Sequence, residues 1–234
     1  MKDNYTHITL VADRSGSMQV VRADAEGAIN SFISDQKKLE GECSLLFVEF
    51  DAPHDVIPTS GWYHIVHDGD LQKAPTYDLQ PRGMTALLDA VGQAIGRTGE
   101  TLAAMDESDR PSRVVFVIQT DGQENSSREW TWDKIQEEIK RQTEEYNWQF
   151  VFLGMGSDAW DQGARMGVTN VVRSAGTGVA HQHTHSVMNA YVGDYRVGNV
   201  DHLHAANYTV DAKGKVLDEE GNELDPKTGK RTDA

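Results

Sequence analysis

Asp13, Ser15 and Ser17 occupy alternate positions in "ADRSGSM", directly after the apolar run 8–12, and a second apolar run, "VVFVIQT", also ends in a carboxylate, Asp121, followed by "GQEN". Ligands of open parallel sheets gather outside the carboxyl ends of the strands, where the strand order reverses. Gly16 permits a tight turn in "DRSGS", so the three side chains of that loop can converge. Two carboxylates at neighbouring strand ends repel, and the repulsion is relieved when one keeps its proton or when a cation lies between them. Nearby hydroxyls favour the cation, because hard divalent metals accept neutral oxygens alongside carboxylates. The third hydroxyl of the set is Thr85, in "PRGMTALLDA".

Such a cluster needs strands to carry it and helices to cover them. "HITLVA", "CSLLFVEF", "RVVFVIQT" and "WQFVFLGM" are short, nearly continuous apolar runs, which read as parallel strands buried on both faces. Between the first two, Val21, Ala25, Ala28, Ile29, Phe32 and Ile33 recur at helical spacing; Leu87, Leu88, Val91, Ile95 and Leu102 repeat the device, and "WTWDKIQEEIKRQTEEY" gives a more polar helix. The segment 54–66 follows the second strand after only "DAP", too short for a parallel crossover, so it is expected to pair antiparallel at an edge, where Pro58 is tolerated. A further strand is expected at "TNVVRS", then a helix through "HSVMNAYVGDYR". The expectation is an α/β fold: an open, mostly parallel, doubly wound Rossmann-like sheet of about six strands with one antiparallel edge strand and helices on both faces. It should occupy 1–206, with 207–234 as a polar tail that is disordered or forms a short hairpin.

Composition limits the partners. The chain has 234 residues, a formal charge of −15 and a pI near 4.9, which argues against nucleic acid, whose phosphates are held by clustered Lys and Arg. No apolar stretch approaches the roughly 20 residues that span a bilayer, and Asp13 interrupts the first apolar run before it could act as a signal-peptide core. The chain is therefore expected to start at Met1 and to remain in the cytoplasm, away from membranes. Cys43 is the only cysteine, so no internal disulfide forms, and its apolar setting suits an inert thiol in a reducing compartment.

The ordered set Asp13, Ser15 and Ser17 in "DRSGSM", Thr85 in "RGMTALLDA" and Asp121 in "TDGQEN" resembles the Asp-x-Ser-x-Ser, distant Thr and Asp-Gly pattern of von Willebrand factor A-type domains. The resemblance runs from Tyr5 through "HSVMNAYVGDYR". Met84 stands where a second small residue often precedes the threonine, a departure that bears on loop shape and not on ligation. The resemblance implies a metal-ion-dependent adhesion site in which those five residues hold Mg2+ or Mn2+. Two ionised aspartates offset the charge of Mg2+ and the hydroxyls add none. An ion that keeps waters when protein ligands are few is then open to a Glu or Asp of a protein partner. The function implied is a metal-dependent protein–protein interaction module and not an enzyme.

The same residues admit other readings. Asp13 and Asp121 as helix N-caps explain each residue singly but not the set. A Mg2+-dependent phosphohydrolase needs a cation for the phosphate, and Arg14 and Arg82 are the only nearby ones in sequence. A third alternative leaves the metal purely structural, with recognition elsewhere. In "HQHTH" only His181 and His185 would share a helical face, and with "HLH" at His202 and His204 no further ligand stands at recognisable spacing, so a solvated histidine-rich helix start is expected. Trp130 and Trp132 read as a helix-start staple or a surface contact.

Overall fold

The computed structural model describes residues 1–52, 61–155, 159–174, 178–200, 203, 207–218, 220–225 and 231–232. Strands β1 (Lys2–Asp13), β2 (Glu42–Phe50), β3 (Tyr63–Asp70), β4 (Pro111–Thr120), β5 (Gln149–Met155), β6 (Asn170–Ser174), β7 (Asn207–Val210), β8 (Val216–Leu217) and β9 (Glu223–Leu224) form one sheet in the order β3-β2-β1-β4-β5-β6-β7-β8-β9. The strands from β2 across to β7 pair in parallel, while β3, β8 and β9 pair antiparallel at the two margins. Chain order runs outward in both directions from β1, so the reversal falls between β1 and β4. That crevice is the ligand-binding position of such sheets.

The apolar strand runs are explained by cover on both faces. Ile8, Leu10 and Ala12 of β1 join one core layer with Ile29 and Phe32 of α1 (Arg22–Lys37) and Val187, Met188 and Val192 of α5 (Gly178–Arg196). Val11 joins the opposite layer with Leu88, Val91 and Ile95 of α2 (Leu87–Ala103) and Ile135 and Ile139 of α3 (Trp132–Tyr146). A short helix, α4 (Ala159–Arg165), packs beside β5. No helix of the described residues is long and apolar enough to cross a membrane.

Three expectations change. The antiparallel edge strand exists but runs Tyr63–Asp70, so its polar end "HDGD" carries the pairing on to Ser44↔Asp70; residues on an exposed edge need no apolar alternation to pair. Residues 54–60 of the expected strand, Pro58 among them, lie outside the described residues. Among the described residues the sheet has nine strands and not about six, because the stretch after 206 adds β7 in parallel beside β6 and the small antiparallel strands β8 and β9. Of their few apolar residues, Val210, Val216 and Leu224 are buried, so tertiary cover supplies what composition does not advertise. The histidine expectation also changes. His185 is buried and His183 bonds the Gly214 carbonyl through Nδ1, while the side chain of His181 and both His202 and His204 lie outside the described residues.

Candidate functional site

Three loops meet at the carboxyl ends of β1 and β4. In the first, Asp13 ends β1 and is buried, and its Oδ1 accepts the Ser15 amide at 2.6 Å, folding the chain back so that the Ser15 and Ser17 hydroxyls lie 3.0 Å apart. Its other oxygen, Oδ2, accepts the Thr120 hydroxyl at 2.6 Å, which ties the end of β1 to the end of β4. Ser17 Oγ donates to Asp121 Oδ1 at 2.8 Å and so joins the first loop to the third.

Gly122 marks the point on which the set converges. A Cβ built there would stand 2.9 Å from Thr85 Oγ1, 3.2 Å from Ser17 Oγ and 3.3 Å from Asp13 Oδ2. The structure therefore brings all five sequence-predicted residues together: Asp13, Ser15 and Ser17 through direct bonds, Asp121 through Ser17, and Thr85 around Gly122. Asp13, Ser15 and Thr85 are buried, whereas Ser17 is exposed, so the cluster opens to solvent on one side. Burial pushes the Asp13 carboxyl up to about 6, against the pull of the Thr120 and Ser15 hydrogen bonds, and the charge of Asp121 raises it further. Burial raises Asp121 as well, partly offset by Ser17. Two poorly solvated carboxylates with three hydroxyls make an all-oxygen donor set, which suits a hard divalent cation better than a thiophilic one. Among the described residues, no group of three His, Cys, Asp or Glu side chains has metal-holding geometry, so the oxygens here are of mixed type.

Further residues, not found from the sequence, hold these loops in place. The Thr85 amide donates to Asn125 Oδ1 at 3.0 Å, and the Thr85 carbonyl accepts the amides of Asn125 and Ser126. At the start of α2, the Leu88 amide donates to Glu124 Oε2 and the Asp89 amide to Ser127 Oγ, while buried Asp89 accepts the amides of Arg128, Glu129 and Trp130. Loop 122–130 thus supplies the N-terminal cap that α2 lacks in its own sequence. Gln162 of α4 supports the same loop, accepting the Glu124 amide and donating to the Gly122 carbonyl at 2.6 Å. The signal available was "ENSS", a run of capping residues with no helix immediately after it. Trp130 and Trp132 are half-buried against the core layer that holds α2 and α3; the Arg165 guanidinium stands 4.2 Å over the Trp132 ring, and Trp130 covers Gly92 of α2.

The two cations considered for a phosphate are both engaged. Arg14 bonds Glu49 and Asp51, and Arg82 bonds Asp51.

No family model matches the chain, and no curated protein matches it. Solved structures do match. A von Willebrand factor type A protein from Catenulispora acidiphila superposes with a TM-score of 0.54 at 18% identity, over 82% of this chain and 43% of that one. The open conformation of the pilus adhesin SpaC from Lactobacillus rhamnosus GG gives 0.58 at 15% identity, over 83% and 30%. Proximal thread matrix protein 1 from the mussel byssus gives 0.55 at 13% identity, over 84% and 47%. The chain thus spans less than half the length of each of these structures.

Proposed function

We propose that this chain, whose fold is that of von Willebrand factor A domains, is a metal-dependent protein-interaction module in which Asp13, Ser15, Ser17, Thr85 and Asp121 hold Mg2+ or Mn2+ and a partner's Glu or Asp completes the site. The observation that carries the reading is the convergence of Thr85, Ser17 and Asp13 oxygens around Gly122, with the Asp121 carboxylate bonded to Ser17 beside them and both carboxyls raised by burial. A bound ion supplies positive charge and an exchangeable position for an external carboxylate. In a chain of net charge −15, an acidic partner residue needs such a bridge.

The surroundings favour a protein partner. Val20, 91% exposed, and Met84, 56% exposed, sit in the loops that carry Ser17 and Thr85, and apolar side chains beside a polar centre suit a protein contact. Phosphoryl transfer has less support, because Arg14 and Arg82 are committed to carboxylates within the fold. A purely structural ion is disfavoured by the exposure of Ser17 on the open side of the cluster.

Calorimetric titration with MnCl2 tests the reading. The wild type should bind one ion, Asp13→Ala none, and Thr85→Ala an ion at about tenfold to hundredfold lower affinity, with circular dichroism showing all three folded. Equal binding by Asp13→Ala would place the ion elsewhere. For captured binding partners, EDTA should abolish the interaction and Thr85→Ala should weaken it.

A further inference from the structure

Arg14 and Arg82 lie in the two loops that carry the hydroxyl groups, and both reach the same acceptors. Arg14 Nε donates to Asp51 Oδ2 at 3.1 Å, and Arg82 Nε donates to that same oxygen. Each guanidinium also donates to the Gly61 carbonyl. Arg14 carries on to Glu49 Oε1 at 2.5 Å, and Glu49 is held in turn by Tyr77 and His64. Asp51, Glu49 and Arg14 are buried. Two arginines and two carboxylates leave the cluster formally neutral, so it is not itself an ion-attracting patch. Its backbone geometry shows what it joins: the Arg82 amide donates to the Arg14 carbonyl at 2.8 Å, and the Gly16 amide to the Gly83 carbonyl at 3.1 Å. Asp51 reaches the threonine loop by a second route, since its own carbonyl accepts the Ala86 amide at 2.9 Å.

We infer that Asp51 is a positioning residue for the candidate metal site: by sharing one carboxylate oxygen between Arg14 and Arg82, it clamps the Thr85 loop onto the Ser15–Ser17 loop and so sets the affinity for a divalent cation. The inference rests on the metal-site reading above. Side chains that orient ligands from behind typically change metal affinity by about tenfold to hundredfold when removed. Here the effect should pass through Thr85, because Arg82 and Thr85 share one short loop while Asp13 is anchored separately by Thr120 and the Ser15 amide.

Mn2+ titration of Asp51→Ala, Arg82→Ala, Thr85→Ala and Asp51→Ala/Thr85→Ala separates this clamp from a simple charge effect. Asp51→Ala removes a negative charge together with the shared acceptor oxygen, and Arg82→Ala removes a positive charge, so long-range electrostatics alone would weaken binding in the first and strengthen it in the second. Loss of the clamp weakens both, by about tenfold or more. Because the Arg82 side chain is about half exposed, its variant is expected to fold even if Asp51→Ala does not. In the Thr85→Ala background, Asp51→Ala should add less than about twofold, the non-additivity expected of residues acting through one ligand. Without any ion, amide exchange at Gly16 and Arg82 should quicken in both single variants while the interior amides of β1 and β4 stay protected. Opposite signs for the two single variants, full additivity of the double variant, or unchanged Mn2+ affinity and exchange would each overturn the clamp while leaving wild-type ion binding intact. A wild type that binds no Mn2+ would overturn the metal-site reading and this inference with it.

Discussion

Replacing Gly122 with alanine should remove most of the ion affinity while leaving the chain folded, at a moderate cost in stability. The Gly122 backbone is pinned on both sides, its amide donating to Thr120 Oγ1 at 3.0 Å and its carbonyl accepting Gln162 Nε2 at 2.6 Å. The new methyl cannot retreat, and would stand 2.9 Å from Thr85 Oγ1, 3.2 Å from Ser17 Oγ and 3.3 Å from Asp13 Oδ2. Unstrained nonbonded contacts of carbon lie near about 3.5 Å, so the threonine oxygen must give way by roughly half an ångström and the other two by a few tenths. Mg2+ accepts little such movement, since it demands ligands at about 2.0–2.1 Å in a near-ideal octahedron. Three of the five oxygens shift, so the expected loss is at least about tenfold in Kd, or about 1.4 kcal/mol. The stability cost is that of modest overpacking, about 1–3 kcal/mol, or up to about 10 °C in Tm for a chain of this size. Calorimetry with MnCl2 gives the affinity, and melting in EDTA and in Mn2+ gives the coupling: at equal Mn2+ the ion should raise the Tm of the wild type by more than that of Gly122→Ala. An unchanged Kd in the folded variant would refute the placement of the ion between these oxygens.

Two further outcomes are expected. Burial holds Asp13 near 6 in the ion-free protein, above its ordinary value of 3.8, so between those values the folded state retains a proton that the unfolded chain has released. Stability therefore falls as pH rises from about 4 to about 6, by roughly 3 kcal/mol in all. Melting in EDTA should show the wild type losing Tm against Asp13→Asn across that window, with saturating Mg2+ restoring it; parallel curves without the ion would count against a desolvated Asp13. Truncation after residue 206 should strip β7 from β6 and remove buried Val210, Val216 and Leu224, at a cost on the order of 5 kcal/mol. A truncated chain that melts within a degree or two of the full one would show that these strands add nothing to the core.

Much of this protein follows from the order of its residues alone. Strands buried on both faces must be apolar throughout and helices covering them must be apolar on one stripe, so β1, β2, β4, β5, α1, α2 and α3 are legible as local periodicity. The same holds for Asp13, Ser15 and Ser17, which are brought together by a turn five residues long and need no distant partner to converge. Thr85 and Asp121 are legible as members of an ordered motif, but only the tertiary structure sets the Thr85 hydroxyl beside Gly122 and brings Asp121 within hydrogen-bond reach of Ser17. It alone decides that Arg14 and Arg82 meet on Asp51, that Glu124 and Asp89 stitch the second loop to the third, and that a polar C-terminal stretch extends the sheet. The physical reason is separation along the chain. Hydrogen bonds and ion pairs between residues tens of positions apart leave no periodicity in either partner, and a charged side chain reads as solvated until the fold places its counterion beside it and excludes the water.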